Sequence, residues 1–150
     1  MITRSIIAKR SRKAGQAGEI AALHQLRYLG FVLIEAIETG WRVKRAGKKI
    51  IGATPLRKVS GDFKAMTPGG RAVIVEVKAR PERLQYGDLE RHQVDALTSY
   101  HSHGGIALLI WRHEKGIAVM RWPVFGFVAG TSISIDHATT LNLKPRFWEV

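Results

Sequence analysis

Gly61-Asp62-Phe63-Lys64-Ala65-Met66-Thr67-Pro68-Gly69-Gly70-Arg71-Ala72-Val73-Ile74-Val75-Glu76-Val77-Lys78-Ala79 is the stretch on which the fold turns. Apolar and β-branched runs flank Thr67-Pro68-Gly69-Gly70, so the spacing predicts a strand over Gly61–Met66, a tight turn, and a strand over Arg71–Ala79. Alternate residues of a strand share a face, so Glu76 and Lys78 point one way and Val73, Val75 and Val77 the other. An acid and a lysine are then held about 7 Å apart along a stiff, otherwise apolar element. Hairpin pairing can bring Asp62 beside Glu76. Two carboxylates that close repel, and each raises the other's pKa unless a cation sits between them. Hard oxygen ligands with room for water suit Mg²⁺ or Mn²⁺. A lysine alongside can stabilise charge developing on a phosphate. A solvated cross-strand charge cluster would use the same residues, and both readings stand at this point.

Upstream, Ala14–Leu29 has helical spacing, closed by Gly30. Glu19 falls in line with Ala22, Leu23 and Leu26 on the expected core-facing stripe, where a carboxylate is costly unless paired or bound to metal. An acid favoured by the helix dipole is the plainer account. Gly15 and Gly18 flank it and would let a phosphate or another backbone come close. Phe31–Ile37 reads as a strand. Trp41–Lys58 mixes Arg42, Lys44, Arg45, Lys48, Lys49, Arg57 and Lys58 with Gly47, Gly52 and Pro55, and contains no acid. It reads as a long hairpin or projecting loop.

Downstream, Arg80-Pro81 breaks the second strand, and Leu89–Tyr100 is helical with Leu89, Val94 and Leu97 broadly on one side. His103-Gly104-Gly105 stops that helix. Ile106–Arg112 and Ile117–Trp122 read as strands joined by His113-Glu114-Lys115-Gly116, and Pro123 suits the first turn of a short helix over Val124–Val128. No element is read after Gly130. Helix, strands, helix, strands is a mixed α/β order, which predicts a central mixed β-sheet flanked by helices. The 150 residues fit a single domain, with 1–13 a flexible basic arm, 14–150 the folded part and 41–58 projecting from it.

Composition narrows the function classes. The absence of cysteine excludes disulfides, thiolate metal sites and a cysteine nucleophile. The longest apolar run, Ile106–Trp111, is far short of the roughly 20 residues that cross a bilayer. The first ten residues lack the apolar core of a signal peptide, so a soluble, cytoplasmic protein is expected. The net charge of +12 is concentrated: residues 1–60 hold thirteen Lys and Arg against three acids. A polyanion is the natural partner, and nucleic acid is the commonest one. Lys9, Arg10, Arg12 and Lys13 join the seven basic residues of the hairpin as candidate DNA contacts. A membrane surface is not favoured, because the basic stretches lack a regular apolar face. His101 and His103 could suggest zinc, but a solvated helix end beside Gly104-Gly105 accounts for them better. The four tryptophans read as core or interface residues, with Trp41 placed to stack on an unpaired base.

Taken together, Glu19, Gly61-Asp62-Phe63 and Ile74-Val75-Glu76-Val77-Lys78 resemble the PD-(D/E)XK nuclease superfamily. Leu89-Glu90-Arg91-His92-Gln93-Val94-Asp95-Ala96-Leu97, followed by Gly104-Gly105-Ile106-Ala107-Leu108-Leu109-Ile110, narrows the likeness to RecU-type Holliday junction resolvases. The resemblance covers roughly Gly15 to Trp111. The arm and the part after Trp122 carry no matching pattern. It implies a restriction-endonuclease-like core and a Mg²⁺-dependent endonuclease acting in DNA recombination and repair. Asp62 and Glu76 would be direct metal ligands, the Val77 carbonyl a third, and Glu19 a ligand through the metal's water shell. Lys78 would be the catalytic lysine and Gln93 a helix residue supporting the site or DNA. Trp41–Lys58 would match the family's basic stalk. A homodimer making two symmetric cuts in a four-way junction is expected, and a chain shorter than the family's usual bacterial members fits a bacteriophage or mobile-element version, acting in the bacterial or host cytoplasm. Alternatives are a duplex- or flap-cutting nuclease of the same fold, or a non-catalytic nucleic-acid-binding module.

Overall fold

The apolar run Ile106–Trp111 forms a strand buried on both faces, as an unbroken run without alternation requires. Everything else is arranged around it. The structure is a computed structural model that describes residues 4–38, 41–55 and 61–149, with 4–16, 41 and 55 described by backbone alone. In chain order the elements are α1 (Arg4–Leu29), β1 (Val32–Ala36), β2 (Trp41–Ala46), β3 (Lys49–Pro55), β4 (Phe63–Met66) and β5 (Ala72–Ala79). Then come β6 (Leu84–Gln85), α2 (Arg91–Ser102), β7 (Ile106–His113), β8 (Gly116–Arg121), β9 (Ser132–Ile133) and α3 (Ile135–Thr140).

The main sheet has the order β1-β4-β5-β7-β8, with β5 and β7 parallel and the other neighbours antiparallel. The parallel pair needs a crossover, and α2 supplies it. Side-chain alternation divides the core in two. Val73, Val75, Ile106, Leu108 and Ile110 pack on the α1 side. Ile74, Ala107, Leu109 and Trp111 pack on the α2 side with Leu97, Trp122 and Ile135. This is the expected α/β class with a central mixed sheet and helices on its faces.

The buried stripe of α1 is Gly18, Ala22, Leu26 and Leu29. That is rotated from the expected line through Glu19 and Leu23: Gly18 is the position that faces Val77 and Ala79, where an added Cβ would make ordinary contacts at 3.7 Å. The helix starts at Arg4, so residues 4–13, expected as a loose arm, continue it; they are rich in Lys and Arg, which favour helix. No helix among the described residues is long and apolar enough to cross a membrane.

β2 and β3 form a two-stranded sheet of their own, joined at Gly47. The pairs Arg42↔Thr54 and Lys44↔Gly52 share one face, and Val43↔Ala53 lies on the other. The side chains of Arg42, Lys44, Arg45, Lys48 and Lys49 are exposed. Arg57 and Lys58 lie outside the described residues.

The end of the chain, where no element was expected, folds back in two places. Ser134 caps α3 by accepting from the His137 N–H, and a serine cap with Asp136 in the first turn was the readable signal. Asn142 accepts from Val119 N–H and donates to Ile117 O along β8, while Trp148 stacks on Phe31 at 4.6 Å. The short helix expected over Val124–Val128 is absent: the chain turns there, and the Trp122–Pro123 peptide is cis.

Gly105 joins α2 to β7 in a tight space, where an added Cβ would sit 2.9 Å from Tyr100 O and 3.1 Å from Ala72 O. Both neighbours are backbone and cannot swing aside. Gly105→Ala is therefore expected to cost about 1–3 kcal/mol by overpacking, while Gly87→Ala, with open space around it, should be near neutral. Thermal unfolding of the two variants checks the contrast.

Candidate active site

Val77 has no backbone partner on β4, because β4 begins two residues too late to reach it: Phe63 pairs with Val75, and Gly61, the residue that would stand opposite Val77, precedes the strand. The Asp62 side chain fills that place, its Oδ2 accepting from the Val77 N–H at 2.7 Å. Its backbone is held too, with Asp62 N–H donating to Val75 O at 2.7 Å and Ile37 N–H donating to Asp62 O at 2.9 Å. Gly61 makes the approach possible. It adopts φ +88°, and a Cβ there would land 2.5 Å from Ile74 Cδ1. A Gly-Asp pair at the head of a strand is thus the local signature of a carboxylate held against the neighbouring strand.

Glu76 lies on the opposite side of β5 from Val77, facing α2, and is 3% exposed. Three groups meet its carboxyl. Gln93 Nε2 donates to Oε1 at 2.7 Å, Lys78 Nζ lies 3.5 Å from the same oxygen, and Asp62 is close enough to share a hydrogen bond. Gln93 Oε1 in turn accepts from Lys78 Nζ at 3.1 Å and from Glu90 N–H at 2.9 Å. Gln93 sits in the first turn of α2 with Glu90 as its N-cap. Both ends of its amide are occupied, which fixes which end faces which partner. Glu90 enters the site without being among the residues expected there; the Glu-x-x-Gln spacing at a helix start is its sequence signal.

Burial first, and the Asp62 charge second, push the Glu76 carboxyl up from its ordinary 4.5 to about 8, against the opposing pull of Lys78. Glu19 is displaced in the same direction by partial burial and by Asp62. Its side chain is exposed on the flank of α1, so it is not on the core stripe expected of it, but it is near enough to feel the Asp62 charge. The structure therefore brings together Asp62, Glu76, Lys78 and Gln93, with Glu19 at the margin. The four expected contacts Lys9, Arg10, Arg12 and Lys13 lie on the backbone-only part of α1. His101 and His103 are exposed at the end of α2.

Among the described residues no three His, Asp or Glu side chains converge into a ready-made ligand set. What converges is a carboxylate pair. In a strand the N–H and C=O of one residue point the same lateral way, so the Val77 carbonyl faces the gap into which its N–H reaches Asp62. Two carboxylates and a carbonyl, in a place where a second negative charge is strongly disfavoured, fit a hard divalent cation that keeps several waters.

No protein-family model and no curated protein matches the chain. Among solved structures, its fold is similar to that of Hjc, a Holliday junction resolvase from the archaeal hyperthermophile Archaeoglobus fulgidus. The TM-score is 0.54 and the identity 20%, over 86% of this chain and 94% of that one. A likeness at this identity is one of fold, and it gives the α/β sheet its restriction-endonuclease-like arrangement.

A carboxyl raised in the folded state stabilises the protein fully only below its unfolded value, and that stability is lost as pH rises towards the folded value. The metal-free protein should therefore lose stability relative to Glu76→Gln between about pH 5 and pH 8, by on the order of 1 kcal/mol per pH unit. Denaturant titrations of both proteins across that range, in chelator, measure the difference. A constant gap would show that Glu76 titrates normally.

Proposed function

We propose that the chain is a divalent-metal-dependent endonuclease acting on branched DNA. The observation that carries this reading is the convergence of Asp62 and Glu76, with Lys78 and Gln93 tied to the same Glu76 oxygen, in a fold similar to that of a Holliday junction resolvase. Asp62, Glu76 and the Val77 carbonyl would hold Mg²⁺, with Mn²⁺ as a substitute and Glu19 reaching the ion through water. When bound, the ion supplies Lewis-acid and water-activating chemistry to phosphodiester hydrolysis.

The chain's own groups do the remainder. Lys78, held at 3.1 Å by Gln93, presents a fixed positive charge where negative charge grows on the phosphate oxygens, and a preoriented charge needs no reorganisation during the reaction. Gln93 keeps that ammonium and the Glu76 carboxyl in register. The Lys78 and Glu76 side chains are themselves only 12% and 4% exposed, which limits solvent screening of the ion pair.

The RecU-type resemblance rests on the His92-Gln93 helix and the Gly104-Gly105-Ile106-Ala107 strand, and it makes a four-way junction the preferred substrate. The exposed β2–β3 hairpin, with its row of basic side chains, is suited to an open junction centre. Basic residues alone would raise affinity for any DNA, so selectivity requires the hairpin's shape. Two symmetric cuts call for a two-fold dimer.

Asp62→Asn or Glu76→Gln should abolish cleavage of a labelled four-way junction in Mg²⁺ while leaving junction binding within severalfold of wild type. Lys78→Ala should lose cleavage by a factor on the order of 10² or more. A carboxylate variant that cuts at the wild-type rate would overturn the site. Replacing β2–β3 by a tight turn should weaken junction binding far more than duplex binding. Equal losses would reduce the hairpin to nonspecific attraction. Light scattering with and without junction DNA tests the dimer.

A further inference from the structure

Just beyond Lys78, the carboxyl ends of the parallel strands β5 and β7 open into a pocket of about 310 Å³ lined by Ala79, Arg80, Pro81, Arg112, His113 and Glu114. It is not part of the carboxylate site. In the β5–β7 ladder Lys78 stands beside Trp111 and Ala79 beside Arg112. The rung that floors the pocket therefore lies three residues from Glu76, about 10 Å along the strand. Ligands of open α/β sheets gather at the carboxyl ends of parallel strands.

The lining is built to present donors. Arg80 is held from two sides: its Nη1 donates to Ala79 O at 2.9 Å, and its Nε lies 3.4 Å from Asp88 Oδ1. Its backbone is fixed as well, with Trp111 Nε1 donating to Arg80 O at 3.1 Å and Arg80 N–H donating to Arg112 O. Asp88 and Ala79 O engage Nε and Nη1 on opposite sides of the guanidinium, and among the described residues Nη2 has no hydrogen-bond partner and is placed to meet a ligand. Arg112 is exposed, and its side chain has no acidic partner among the described residues. His113 accepts from Lys115 N–H at Nδ1, 3.0 Å, so the neutral ring carries its proton on Nε2 as a donor. The ring's place is set by an edge-on contact with the buried Trp111 at 5.5 Å. The one carboxylate of the lining, Glu114, is exposed in the β7–β8 turn. Planar guanidinium forks match phosphate oxygens better than any other side chain does.

We infer that this pocket holds a backbone phosphate of the DNA strand being cut, within about three nucleotides of the scissile phosphodiester, at roughly 3.4 Å of stacked strand per nucleotide. The inference rests on the nuclease reading for the identity of the strand. Arg80, Arg112 and His113 act here as positioning residues. They set the register of the strand across Asp62 and Glu76 and take no part in bond breaking.

The test neutralises the contact from both sides. Four-way junctions carrying a single methylphosphonate, moved one position at a time along the strands near the crossover, are bound by protein in a Glu76→Gln background. One position is expected to weaken binding about three- to tenfold. Arg112→Gln should weaken binding of the unmodified junction by a similar factor and lower the salt slope by about one. In that variant the same methylphosphonate should have little further effect. Arg80→Gln should behave alike, and Arg112, lying outside the Arg80–Asp88 pair, keeps the result independent of any disturbance of that loop. In active protein, Arg112→Gln should shift the cleavage position or raise KM more than it lowers kcat.

Wild-type binding by Arg112→Gln, or protein and DNA losses that multiply at every position, would overturn the pocket. The binding arm does not require cleavage. A chain that cuts no DNA but shows the matched loss at Arg112 would sink the nuclease reading and leave the phosphate site standing.

Discussion

Asp62 stands where the β4–β5 hairpin comes apart, and its side chain takes over a hydrogen bond that backbone makes elsewhere in the ladder. That substitution has two effects at once. It satisfies a strand N–H that burial would otherwise leave expensive, and it fixes a carboxylate beside Glu76. The ladder can end at Phe63 without loss only because an acceptor of the right reach comes next. The gap opened by the missing backbone partner is the space in which the candidate chemistry happens. Fold and site share one hydrogen bond.

The cost of the arrangement falls on Glu76. A carboxyl almost fully enclosed, beside a second one, is unfavourable in its charged form, and replacing it by a neutral side chain would ease the fold. Lys78 and Gln93 offset part of this, and Gln93 does so with a geometry that tolerates no alternative. Turning its amide over would set a donor against both Lys78 and the Glu90 N–H and an acceptor against Glu76. Such a network is costly if any member is lost. It costs stability and supplies a preset charge distribution, the usual bargain at reactive centres.

Much of this was legible because it depends on local chemistry. The alternation of Val73, Val75 and Val77 against Glu76 and Lys78 assigns the strand faces, and Thr67-Pro68-Gly69-Gly70 can only be a turn; the structure has both. The apolar run within Ile106–Arg112 reads as a strand, and the structure has it as β7. Glu19 lies off the core stripe because the helix meets the sheet through Gly18, Ala22, Leu26 and Leu29, and a glycine carries no hydrophobic signal that would mark its position as a contact. Gln93 reads as a residue supporting the site, but its bonds to Lys78, Glu76 and the Glu90 N–H do not, because they depend on where α2 is capped and how it lies on β5. The region after Gly130 carries no readable element because β9 and α3 are too short to show a period and are held by the core rather than by their own pattern.

The C-terminal segment has a consequence for solubility. A sheet exposes unpaired backbone along its first and last strands, and such borders invite intermolecular strand addition. Here the two borders are guarded unequally. Along β8, Asn142 works as an artificial strand, its amide pairing with Val119 and Ile117 while Leu143 N–H donates to Val119 O. A few residues without strand structure thereby seal that side. The β1 border has no such cover among the described residues. It relies on the charge of Glu35 and on a register break after Val32, where Leu33 takes φ +50°. A break of this kind spoils the straight template that a foreign strand needs. Extension of the main sheet by a foreign strand is thus confined to its β1 border, and losing the last ten residues would open the β8 border as well.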